Sequence, residues 1–185
     1  MKKKILASAV VAALALCCVI GGTLAWLTAK TEPLVNTFTV GDVDIALEET
    51  TGDTYKMLPG CTIAKDPTVT VTKESEDCWL FVKVDESANF DNFMTYAMAD
   101  GWDVLNDETG VFYRKVKTDT ADQAFAVLKD NKVTVLNTVT KNMMNDLTQE
   151  TYPTLTFTAY AVQQHKDNGD FTPADAWKTV SGSTV

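Results

Sequence analysis

The sequence predicts a mainly β fold, a single antiparallel β-sandwich or jelly roll with a few short helices, preceded by a signal peptide. Three observations carry this prediction. Seven to nine short apolar or alternating segments are separated by turn residues. No stretch alternates strand and helix in the βαβ manner, which argues against a parallel-sheet enzyme fold. The composition, 45% hydrophobic and 22% charged over 185 residues, suits one globular domain rather than a disordered or collagen-like chain.

The N-terminus sets the compartment. Lys2-Lys3-Lys4 precedes an apolar run from Ile5 to Ile20 broken only by Ser8; Gly21-Gly22-Thr23 follows, with small residues at Ala25 and Ala29. A charged start, an apolar segment and a small-residue exit describe a secretory signal peptide over residues 1–29. The apolar run falls short of the roughly 20 residues that a membrane span needs. Cleavage is expected between about residues 25 and 29, in the region of Ala25, Trp26, Leu27 and Ala29. Cys17 and Cys18 make a poor lipidation site, because Leu16 precedes the first and the apolar run continues past both.

Residues 30–185 then form the domain, with an extended N-terminal segment over 27–39. Residues 36–47 alternate, with Phe38, Val40, Val43, Ile45 and Leu47 at every second place and a phase shift at Gly41-Asp42 that reads as a bulge. Leu58-Pro59-Gly60 is a turn. The β-branched run Thr68–Thr72 is a strand, Lys73–Asp77 a charged turn, and Trp79–Val84 the most apolar strand. Residues 87–100 read as a short helix or an irregular apolar crossing. Trp102–Leu105 and Val111–Val116 form a hairpin around the polar turn 106–110. Extended pieces follow at 125–128 and 132–140, then one or two helical turns at 142–147 and a long last strand at 154–163. After a polar turn at 165–170, Thr172 caps a short helix that opens at Pro173.

The charge excludes whole classes of partner. Net charge is −9. The first 29 residues hold three lysines and no acid, so 13 bases face 25 acids in the remainder. Such a surface repels phosphates, so no nucleic acid is expected, and the membrane is met only through an uncleaved signal peptide. Cys61 and Cys78 remain in the exported part, 17 positions apart, either as a disulfide or as two free thiols.

A search for catalytic chemistry returns little. The lone histidine, His165, sits in a polar turn, so neither a His-Glu-x-x-His zinc pair nor a histidine-rich metal set can be built. No serine lies in a Gly-x-Ser-x-Gly elbow. Asp42 with Asp44, and Asp167, Asn168 and Asp170, read first as solvated turns, since neither set follows a calcium-loop spacing. Asp85, Glu86, Asp103 and Asp107 could pair for glycosidic work, but a chain this acidic supplies such coincidences freely. Trp79, Trp102 and Trp177 read as core or rim packing before they read as a sugar platform. No catalytic residue, cofactor site or metal set is therefore assigned. One segment has a sharper reading. Residues 27–39 carry Leu27, Leu34, Val35 and Phe38, and an extended apolar tail freed by processing can add as a strand to another subunit's sheet. The plainer alternative is a first strand within its own domain.

Three stretches together resemble a known family. They are Gly21–Leu27 running into Asn36–Ile45, then Pro59–Pro67 with Trp79–Val84, and finally Leu155–Gln163. The chain resembles the TasA/camelysin family of Gram-positive secreted proteins. That resemblance implies a jelly-roll domain, processing by the dedicated signal peptidase SipW, and export to the cell surface or extracellular matrix. For TasA-like members it implies biofilm fibres in which the mature N-terminal segment completes the next subunit's sheet. Pro33, which cannot donate to a ladder, departs from that pattern and unsettles the register. The expected function is a surface or matrix structural protein whose partners are the signal peptidase during export and then itself or a related matrix protein. The alternatives are a camelysin-like metalloendopeptidase and a monomeric adhesin or carbohydrate-binding module.

Overall fold

In the computed structural model, residues 43–52, 55–166 and 169–182 are described. The signal peptide, its cleavage region and the candidate donor segment with Leu27, Leu34, Val35 and Phe38 lie outside them, as do Asp42, Asp167 and Asn168.

The strand that positions everything else is β4 (Cys78–Glu86). Its apolar residues run without alternation from Cys78 to Val82 because both of its faces are covered. It pairs along its full length with β10 (Leu155–Gln163), from Leu155 opposite Glu86 to Gln163 opposite Cys78. On its other side lies β7 (Val111–Val116). That strand forms the expected hairpin with β6 (Asp103–Val104), which completes a four-stranded sheet in the order β10-β4-β7-β6. Gly110 closes the hairpin at φ 71°, and a Cβ there would collide with the Val84 carbonyl oxygen. A left-handed position against backbone admits only glycine.

A second sheet, β1 (Ile45–Glu48), β3 (Thr68–Val71) and β8 (Gln123–Ala126), is antiparallel throughout. Between the two sheets lie Val69 and Val71 of β3, Leu80, Val82 and Val84 of β4, and the ring of Trp102, all buried. Fully burying one such aliphatic side chain stabilises by about 1.5–3 kcal/mol. The expected sandwich is therefore the fold. A third sheet, β2 (Thr62–Ala64), β9 (Lys132–Val135) and β5 (Met94–Thr95), closes one end. Its core holds Phe90, Phe93, Leu128, Val133, Val135 and Val139.

Several boundaries differ from expectation for local reasons. The ambiguous stretch 87–100 divides into a single helical turn, α1 (Phe90–Phe93), and the short β5, so both expected forms coexist. The extended piece expected over 132–140 stops at Val135. Residues 137 and 138 turn, Val139 drops into the core, and the Thr140 side chain accepts from the Met143 amide to cap α2 (Lys141–Asn145). The strand expected at 125–128 lies at 123–126 instead, because Val127 and Leu128 leave the ladder to fill the two cores. β2 was not expected; three residues after a turn leave almost no periodic signal. The polar turn 165–170 contains a small hairpin, His165–Lys166 against Gly169–Asp170 (β11 and β12). The last helix, α3 (Pro173–Ser181), opens as expected, with Thr172 accepting from the Asp175 amide and Pro173 in the first turn, and ends on Gly182 at φ 71°.

Candidate functional site

The lone histidine does not stand alone. β11 brings His165 beside Asp170 of β12, with Nδ1 and Oδ1 2.6 Å apart. The other carboxylate oxygen of Asp170 accepts from Gln164 Nε2 at 2.7 Å. These two hydrogen bonds, that of His165 first, hold the Asp170 carboxyl below the usual carboxylate range. On the far side of the ring, His165 Nε2 lies 4.0 Å from Asp77 Oδ2. Asp77 in turn fixes the local chain, accepting the Thr118 amide on Oδ1 and the Gln164 amide on its carbonyl. Gln164 is buried, with its Oε1 unpartnered. The imidazole is hydrogen-bonded to Asp170 on one side and faces Asp77 at 4.0 Å on the other, and no nucleophile hydrogen-bonds to it among the described residues.

The same geometry tests for a metal. Zinc in peptidases takes three protein ligands, usually with two histidines among them. This chain has one histidine, its Nδ1 is engaged by Asp170, and one carboxylate faces its Nε2. No group of three or more His, Cys, Asp or Glu side chains converges among the described residues. The donor set does not fit a catalytic zinc.

The other sequence candidates fall apart as a group. Asp85 pairs with Lys83 at 3.0 Å, whereas Glu86 accepts from the Tyr96 hydroxyl at 2.7 Å, and no hydrogen bond joins either to Asp103 or Asp107. Asp44 is held by the Ser75 hydroxyl through its amide. The indoles of Trp79 and Trp102 are each tied to a backbone carbonyl. Trp79 Nε1 donates to the Phe171 carbonyl, Trp102 Nε1 donates to the Ala126 carbonyl, and Trp177 is buried on the inner side of α3. Cys61 is exposed at the entry to β2, Cys78 is buried in β4, and both are free thiols. Burial, reinforced by the neighbouring Asp77, pushes the Cys78 thiol up to about 11.

Two features escaped the sequence reading. One is a cleft of about 450 Å³ lined by Glu86, Asp91, Tyr96, Trp102, Val104 and Phe112, among others. Its residues come from five separate segments, so no spacing announces it. The other is Arg114, whose guanidinium stacks 4.0 Å from the Phe125 ring centroid and 5.3 Å from that of Trp102, with Nε buried and unpartnered. A wider groove of about 590 Å³ runs between α1 and α2, floored by Phe93, Leu136, Met143 and Leu147 and edged by Asp91 and Asp146.

The sheets also have open edges. β1 and β8 terminate one sheet, and β10 and β6 terminate the other, with no further strand paired to them among the described residues. None of the described helices is long and apolar enough to cross a membrane. Against known proteins, the family model for the camelysin metallo-endopeptidases matches residues 1–172. No curated protein and no solved structure matches the chain.

Proposed function

Because the chain belongs to the camelysin metallo-endopeptidase family, we propose that it is an exported surface or matrix structural protein of the TasA-like kind, one that self-associates through residues 27–39. The observation that carries this reading is that β1 (Ile45–Glu48) ends its sheet, with β3 its one paired neighbour among the described residues. That strand lies directly downstream of the apolar segment, in a three-stranded sheet facing a four-stranded one. Unpaired edges are templates for strand addition, and a head-to-tail contact that does not close makes a filament. In this reading the signal peptide directs export and is cut by a signal peptidase between about residues 25 and 29. Leu34, Val35 and Phe38, together with Leu27 when the cut falls before it, then supply the apolar side chains of the added strand. Peptidase activity is not part of the proposal, because no three His, Cys, Asp or Glu side chains converge as a metal-binding group among the described residues.

Electron microscopy separates the readings. Protein starting at Leu27 or Lys30 should form filaments, and protein starting at Gly41 should remain dispersed. Dispersed protein in all cases would remove self-assembly through this segment. Chelator-sensitive cleavage of casein by the purified chain would restore the peptidase reading.

A further inference from the structure

The cleft beside Trp102 has a definite chemistry. Its floor is aromatic, made of Tyr96, Trp102 and Phe112, and exposed Val104 forms part of its rim. The ring of Tyr96 is held edge-on by Phe90, with centroids 5.9 Å apart, and Trp102 is pinned through Nε1 to the Ala126 carbonyl. Two carboxylates, Glu86 and Asp91, line the same space. The Tyr96 hydroxyl donates to one oxygen of Glu86, which leaves the other oxygen turned to accept. Burial first, then that hydrogen bond and the charges of Glu86 and Asp91, raise the Tyr96 hydroxyl, so it remains a neutral donor at physiological pH. Neither carboxylate has a lysine, arginine or histidine within ion-pair distance among the described residues. Arg114, although 5.3 Å from the Trp102 ring centroid, does not line the cleft.

We propose that this cleft binds an alkylammonium group, primary or quaternary, with its carbon substituents on the Trp102–Phe112–Tyr96 floor and its charge between Glu86 and Asp91. Aromatic faces attract cations through the ring quadrupole, and the attraction grows as the site sheds water. Uncompensated carboxylates at the rim supply the rest, and the net charge of −9 favours approach of any cation. A cleft of this volume falls within the range of small-molecule sites, where a few convergent polar groups on an apolar floor set specificity. The inference is independent of self-assembly: it concerns the sandwich alone and stands whether or not residues 27–39 make filaments.

The test is calorimetric titration of the purified full chain with tetramethylammonium chloride and n-butylammonium chloride at constant ionic strength. Tryptophan fluorescence is followed in parallel. Saturable binding with quenching is expected for at least one of the two. Glu86→Gln keeps an acceptor for Tyr96 and preserves shape, and Asp91→Asn alters an exposed position on α1. Each should weaken binding roughly tenfold, the scale set by cation–π and near-surface charge interactions, with circular dichroism and melting unchanged. Asp146→Asn in the neighbouring groove should leave affinity as it was. The proposal is overturned if neither ammonium ion saturates, or if Glu86→Gln and Asp91→Asn both bind as the parent does. It is equally overturned if calcium chloride or a neutral methyl glucoside binds where the ammonium ions do not.

Discussion

The two faces of the sheet β10-β4-β7-β6 both carry a buried core, yet they are closed by different means. One face meets β3 and β8 of a second sheet, with Leu80, Val82 and Val84 against Val69 and Val71. The other meets one nine-residue helix, α3, through Ala176 and Trp177, which sit on Phe81 and Val111. The first closure rests on strands that pair across tens of residues of sequence, β1 with β3 and β3 with β8. The second rests on a helix too short to be stable in isolation. Its order comes from Trp177, whose ring lies 5.4 Å from Phe81 and 5.2 Å, edge-on, from Tyr160. One core is built between two sheets and the other is closed by a single short helix, so α3, its lid, is the element expected to open first.

The largest effect should come from cutting the lid's anchor. Trp177→Ala should destabilise by about 3–5 kcal/mol, the range for a buried tryptophan. Leu80→Ala on the opposite face should cost about 2–5 kcal/mol. Denaturant melts give the size of each effect, and amide exchange gives its place. In the Trp177 variant, protection should be lost first in α3 and then at the edges of β10. In the Leu80 variant it should fall across β3, β4 and β8 together. If both variants lose protection in the same global pattern, the lid is not a separate unit and the comparison fails.

A smaller change refines the same point. Thr172 accepts from the Asp175 amide and also meets its carboxylate, with Oγ1 and Oδ2 2.8 Å apart. Thr172→Ala should cost about 1 kcal/mol, as lost N-caps do, and the loss should appear as faster exchange in α3 with β4 unaffected.

The difference between the faces also explains what could be read from sequence. Cys78 to Val82 form an unbroken apolar run because both faces of β4 are covered, and that run is visible without a structure. The cap and proline of α3 are equally local signals, so the helix start was legible at Thr172-Pro173. β2 was not, because its three residues owe their strand form to β9, 68 or more residues away, and to nothing in themselves. The sites divide in the same way. That the chain has a single histidine, and so cannot build a two-histidine zinc pair, could be read from residue counts alone. The approach of Asp77 to His165, and the meeting of Glu86 with Tyr96 at the cleft, depend on chain crossings that no spacing encodes, whereas His165 meets Asp170 within one small hairpin. Arg114 was passed over because stacking on Phe125 and Trp102 is a tertiary fact.

The two cysteines offer the finest probe of that division. Cys61 is exposed and Cys78 is fully buried on the inner face beside Leu80. In protein starting at Lys30, a thiol reagent should react with Cys61 at once and with Cys78 only after opening of the sandwich. Two thiols should be counted in guanidinium; none would show that a disulfide had formed after all. The raised thiol of Cys78 adds a pH signature. Its native value of about 11 lies above an ordinary value near 9. The folded state therefore favours the neutral thiol: below about pH 9 both states keep the proton and the group has no effect on stability, and above about pH 11 both are ionised and the loss is complete. The sign follows from linkage: the unfolded chain ionises first, so stability falls as pH rises from 9 towards 11. Cys78 also reports on the lid. If α3 detaches locally in the Trp177 variant, Cys78 should remain as slow as in the parent, because it faces the other sheet. If its reaction rate rises in step with the lost stability, the inner face opens whenever the outer one does, and the two cores are a single cooperative unit.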